Sequence, residues 1–126
     1  MKKIIALVLV LVLVLAMTAC QGAKKDKYVV GVCQLAPHPA LDAATEGFTD
    51  ALNEILGEEN VEIDVQVAAG DSATCSPIVS PFVSNNVDLI MANATPALQA
   101  AYAATEDIPI LGTSVTDYAT ALDMDD

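Results

Sequence analysis

Beyond its first 27 residues, this chain alternates between two hydrophobic periods. "YVVGVCQL" (28–35) is a near-continuous apolar run of strand length, rich in β-branched residues. Leu41, Ala44, Phe48, Leu52 and Ile55 then recur at helical spacing, while Asp42, Glu46, Asp50 and Glu54 mark mostly other faces. Pro39, behind His38, suits the first position of that helix, and Gly57 suits its stop. "VEIDVQVA" (61–68) alternates apolar with polar residues and predicts a strand with one wetter face. Gly70 and Asp71 turn the chain. Ser72 or Ser76 is the expected cap of a second helix with Pro77 in its first turn, and Pro81 is expected to disturb or kink it. "VDLIMA" (87–92) predicts a third strand. Thr95 then reads as a cap, Pro96 as a first helical position, and residues 98–104 as the helix that follows. "IPILG" (108–112) predicts a fourth strand, and "DYATALDM" opens another helix that reaches the end of the chain without a stop signal, as in a truncated protein.

The order β-α-β-α-β-α-β-α, with mostly apolar strands and short connections, predicts an α/β fold: an open parallel sheet with helices on both faces. In such a sheet ligands bind beyond the carboxyl ends of the strands. Four loops therefore matter: "QLAPHP" (34–39), "AGDSATC" (69–75), "NATP" (93–96) and "GTSVTD" (112–117). All are rich in hydroxyls and amides, and each leads into a helix N-terminus. Free backbone N–H groups and the positive end of a helix dipole can hold a carboxylate there. Ordinary capping explains the same residue types, so the loops alone do not make a site.

The N-terminal segment has a different logic. Lys2 and Lys3 precede an apolar run over 4–17 that is shorter than the roughly 18 residues of a membrane span. A basic start, a short apolar stretch and a small residue before the cut describe a secretory signal peptide over 1–19. The run closes as "LAMTACQG", where Ala19 before Cys20 resembles the lipobox of bacterial lipoproteins, with Met17 in place of the usual Leu. That resemblance implies lipidation of Cys20 and a tether over 20–27, ahead of the body of the chain over 28–126. The protein would then be extracytoplasmic and held to the bacterial cell membrane by its N-terminal lipid.

Charge narrows the choice of partner. All five basic residues lie within the first 27 positions, while sixteen of the seventeen acidic residues follow them. A body this acidic repels phosphate backbones, which argues against nucleic acid. An anionic ligand must also be held here without a guanidinium clamp. With Cys20 assigned to the lipid, Cys33 and Cys75 remain as a disulfide pair or as two buried thiols.

Catalytic patterns are weak. His38, Ser114 and Asp117 are the residue types of a hydrolase triad, but no G-x-S-x-G elbow surrounds Ser114. Cys33 with His38 has the types of a thiol nucleophile and base, yet Cys33 lies inside an apolar strand where core packing fits better. Phosphate-loop and metal-ligand spacings are absent, and neither a metal nor a cofactor is expected.

The segments "GVCQLAPHPALDAATEGFTDAL", "AAGDSATC", "VDLIMANATPALQAA" and "IPILGTSVTDYATAL" resemble the ABC-transporter substrate-binding lipoproteins for tryptophan and tyrosine. The likeness covers nearly all of 28–122. It implies the first lobe, incomplete, of a type I periplasmic-binding-protein fold, whose members clamp a small solute and present it to membrane permease subunits. For an aromatic amino acid, the helix N-termini with Thr95, Thr113 and Ser114 are the candidates for the carboxylate. Asp117 is the candidate for the ammonium, and Gln34 and His38 for the cleft wall. A sugar or nucleoside receptor on the same fold is the alternative, and an extracytoplasmic hydrolase a more distant one.

Overall fold

The computed structural model describes residues 26–124. The expected signal peptide and Cys20 lie outside the described residues, as does most of the expected tether. β1 (Tyr28–Gln34) leads into α1 (Pro39–Leu56) and a single 3-10 turn (Glu58–Asn60). The chain continues through β2 (Val61–Val67), α2 (Ser72–Ser84), β3 (Leu89–Asn93), α3 (Thr95–Ala104), β4 (Ile110–Thr113) and the short α4 (Tyr118–Leu122). Every strand pairing is parallel, and the spatial order is β2-β1-β3-β4. The expected open α/β sheet is therefore present. Its chain first steps outward from β1 to β2, then reverses past β1 to build β3 and β4.

The helices divide between the two faces. Val30, Val32, Val61 and Met91 pack beneath Phe48, Leu52 and Leu56 of α1. Cys33, Ile90 and Ala92 pack on the opposite face with Cys75, Val79 and Phe82 of α2 and with Ala97, Leu98 and Ala101 of α3. Strands covered on both sides need apolar residues at nearly every position, which is why β1 and β3 read as unbroken apolar runs. Gly31 lets α2 settle closely on β1. A Cβ at that position would lie 2.5 Å from ring atoms of Phe82.

Four local expectations are corrected. Ile55 is 77% exposed, and Leu56 takes the inward place, with the polar Thr45 buried one turn after Leu41. The cap of α2 is Asp71, whose carboxylate accepts the Ala73 N–H at 3.0 Å, and Ser72 is already helical. α2 runs on through Pro77 and Pro81. The two prolines are four residues apart and both exposed, so the carbonyls they leave without a helical donor sit on the wet side of the helix. Finally, Thr95 is the first residue of α3, and Ala94 occupies the cap position. The wetter reading of β2 is extended: α1 covers Val61 and Ile63, while Val65 and Val67 are exposed. Gly57 stops α1 as expected, with a φ of 86° that favours glycine and its N–H donating to Asn53 O at 2.9 Å.

The close approach at position 31 predicts that Gly31→Ala destabilises the fold by about 1–3 kcal/mol, the range for overpacking a filled core. Urea titration measures this. A smaller side chain at Phe82 should absorb part of the loss in the double variant, and an unchanged midpoint for Gly31→Ala alone would contradict the packing argument.

Candidate functional site

The strand register lines up one row of residues at the carboxyl edge of the sheet. Val67 pairs with Gln34, Gln34 with Asn93, and Asn93 with Thr113. Because β2 and β3 lie on opposite sides of β1, the loops after β1 and β3 diverge at this edge and leave a crevice between them. Backbone hydrogen bonds tie the loops to one another. Leu35 N donates to Asn93 O (3.1 Å), Ala68 N to Gln34 O (2.8 Å), Gly70 N to Leu35 O (2.7 Å) and Ala94 N to Thr113 O (2.9 Å). All four predicted loops thus emerge along one edge.

Strain concentrates along the same edge. Ala69, Ala94 and Ser114 follow β2, β3 and β4, and each has a positive φ without being glycine. Ala94 is the extreme case, with φ 92° and ψ 158°, a region essentially reserved for glycine. It also caps α3 without a side chain able to accept a hydrogen bond. Pro96 has no N–H, and the N–H groups of Thr95 and Ala97 bond no other described residue. A helix start of this kind offers two donors and a favourable dipole to an anion.

A polar network lies under α1 at the crevice. Thr45 Oγ1 donates to Gln34 Oε1 (2.7 Å), and Asn93 Nδ2 donates to Thr45 Oγ1 (3.0 Å) and Leu41 O (2.8 Å). Gln34 Nε2 donates to Asp42 Oδ1 (2.6 Å) and Ala36 O (2.8 Å). Asn93 is fully buried, and its Oδ1 has no hydrogen-bond partner among the described residues. A buried amide oxygen without a donor is costly and calls for an explanation.

The predicted residues fall into three groups. Thr113 stands on the strand-end row, Ser114 follows it and Thr95 begins α3, and the hydroxyls of all three bond no other described residue. Gln34 is 2% exposed, and its side chain is committed to the network under α1. His38 caps α1, its Nδ1 accepting the Ala40 N–H at 3.2 Å, and it makes no hydrogen bond to Ser114. Asp117 caps α4, accepting from Thr120 N (3.3 Å) and Thr120 Oγ1 (2.9 Å). The Thr120 hydroxyl, followed by its backbone N–H, holds the Asp117 carboxyl below the usual carboxylate range, so it is ionised at neutral pH.

Thr45, Asn93 and Ala94 escaped the sequence reading as site residues. Asn93 left a signal, a polar residue closing an otherwise apolar strand. Nothing in an alanine announces a positive φ. Cys33 and Cys75 are both free and fully buried. Burial, and then its Cys75 neighbour, push the Cys33 thiol up to about 12, and burial also raises Cys75, so neither is poised as a thiolate nucleophile. A hollow of about 390 Å³ lined by Tyr102, Thr105, Glu106, Ile108 and Ile110 opens at the amino end of β4, away from the strand-end row.

Comparison with known proteins places this edge in context. The family described as ABC transporter substrate binding protein matches residues 29–124. A tyrosine-binding protein of Clostridioides difficile is 48% identical over 97 residues, which is 75% of this chain and 28% of that protein. Among solved structures, the ligand-free, open form of a substrate binding protein with adhesive properties from Clostridium difficile matches with a TM-score of 0.72 at 47% identity. An ABC domain from Streptococcus pneumonia in complex with L-Trp matches at 0.70 and 33% identity. Each match covers 75% of this chain and 32% of the solved one, so the chain spans about a third of the length of these relatives.

Two substitutions probe the edge. Thr45→Val leaves Gln34 Oε1 and Asn93 Nδ2 each short of a partner and should cost about 1–3 kcal/mol in denaturant unfolding. Ala94→Gly should instead stabilise by about 1 kcal/mol, because relief of strain outweighs the added freedom of the unfolded chain. A loss of stability in Ala94→Gly would show that the backbone there is not strained.

Proposed function

The chain belongs to the ABC transporter substrate-binding protein family, and from that premise we propose that it supplies one wall of a cleft for an aromatic amino acid such as tryptophan or tyrosine. In this reading the whole protein is the extracytoplasmic solute-binding component of an importer, anchored through a lipid on Cys20, and it passes its solute to membrane permease subunits. The family is one of substrate-binding proteins, a non-enzymatic kind. A tyrosine-binding relative and an L-Trp complex support the ligand class.

The observation that carries the reading is the uncapped start of α3 beside the strand-end row. An amino acid presents a carboxylate, an ammonium and a side chain. The carboxylate has donors in the Thr95 and Ala97 N–H groups and in the free hydroxyls of Thr95, Thr113 and Ser114. No arginine is required, in keeping with a body that has no Lys or Arg after Lys27. The ammonium has an ionised partner in Asp117, which keeps accepting capacity beyond its bonds to Thr120. Gln34 acts from beneath, holding α1 and the loop after β1 in place, and His38 fixes the start of α1.

Calorimetry of the full-length protein against tryptophan, tyrosine, phenylalanine and a sugar panel tests this. Binding of an aromatic amino acid is expected. Tight sugar binding with no response to the amino acids would establish the sugar or nucleoside receptor instead. Asp117→Asn keeps a good capping side chain but loses the charge, so the fold should persist while affinity falls about tenfold or more. Unchanged affinity would remove Asp117 from the site. Labelling of the expressed protein with radioactive palmitate, lost in Cys20→Ala, is the expected sign of the lipid anchor.

A further inference from the structure

We propose that Cys33 and Cys75 form a disulfide that straps the first turn of α2 to β1. Only three cysteines occur in the chain, and the two outside the N-terminal segment are far apart in sequence. Folding nevertheless buries both completely in one apolar cluster that also holds Val79, Phe82 and Ala92. The packing of α2 on β1 explains why. Gly31 admits the Phe82 ring against the strand, which draws the helix down. Two residues further along β1, on the same face, stands Cys33. Two turns back along α2 from Phe82, toward the same sheet edge, stands Cys75. The thiols are close enough that each alters the proton affinity of the other.

The chemistry is thiol–disulfide exchange with an external disulfide as oxidant, either a small molecule or an oxidoreductase of the exported compartment. When the first turn of α2 opens, the Cys75 thiolate attacks the acceptor disulfide and expels one thiolate, giving a mixed disulfide. The Cys33 thiolate then attacks the Cys75 sulfur and expels the second. One S–S bond forms within the protein as one breaks in the acceptor. The two protons lost by the cysteines end on the two released thiols, and the acceptor takes up two electrons. Once closed, the bridge lies under the loop after β2 and fixes the start of α2.

The test refolds the full chain in a mixture of reduced and oxidised glutathione, then alkylates it in denaturant. Cleavage after Lys and after acidic residues separates the three cysteines, a necessary choice because no Lys or Arg follows Lys27. In chain expressed without export, so that Cys20 stays unlipidated, the expected product has an alkylated Cys20 and one Cys33–Cys75 cross-linked peptide that splits on reduction. Its thermal midpoint should fall by several degrees on reduction, and Cys75→Ala should abolish that sensitivity. Alkylation of both Cys33 and Cys75, or their capture by glutathione or by Cys20, would overturn the proposal. The assay uses no solute, so its failure leaves the binding reading untouched.

Discussion

The contact between Gly31 and Phe82 is the constraint on which the rest of the arrangement depends. β1 is the first strand in the chain and one of the two interior ones, and it must be covered on both faces. α1 covers one face with Phe48 and Leu52. α2, the crossover from β2 to β3, must cover the other while the chain reverses direction past β1. Any side chain at position 31 would lift that helix, because its first carbon would meet the Phe82 ring at 2.5 Å. With α2 seated, β3 pairs to β1 in the register that sets Gln34, Asn93 and Thr113 side by side. The carboxyl edge is therefore organised from a packing event deep in the sheet.

The charge pattern fixes what that edge can use. Acidic residues cover the body, and every basic residue lies in the N-terminal segment. Positive potential for an anion must then come from the backbone. The start of α3 supplies it: Ala94 cannot cap through its side chain, and Pro96 contributes no N–H. A serine or aspartate at position 94 would satisfy those donors internally and close them to a ligand. The strained alanine keeps them open. The same residue also binds the edge together, since its own N–H reaches Thr113 O.

Much of this was legible in the sequence because it follows from periodicity and punctuation. The β-α order, the role of Pro39 and Gly57, and the Asp117 start of α4 rest on local rules that tertiary contacts did not override. Two of the misreadings share one cause, the competition between local signals and burial, while the shifted caps of α2 and α3 are local. Ile55 fits a helical stripe as well as Leu56 does, and only the underlying sheet decides which faces in. Two prolines argue for a broken α2, yet their spacing puts both on the exposed face, where the lost hydrogen bonds cost least. Thr45 and Asn93 were passed over because a network of buried polar groups has no period. Its members lie on three elements and meet only after the sheet has formed.

Asp117 shows how capping and binding coexist at one residue, the ambiguity that surrounded the strand-end loops from the outset. Its two oxygens accept from Thr120, which fixes the carboxylate at the start of α4 and lowers its affinity for protons. A carboxylate has about four acceptor positions, and two bonds leave the others free. The cap thus orients and ionises the group that a cationic ligand atom would meet. The depressed proton affinity works in one direction: the cap contributes fully above the ordinary carboxylate range and is lost as pH falls through the lowered value. In acid, α4 would lose its cap and an ammonium in the proposed site its partner by the same protonation, so under that proposal capping and binding are a single titration rather than competing explanations.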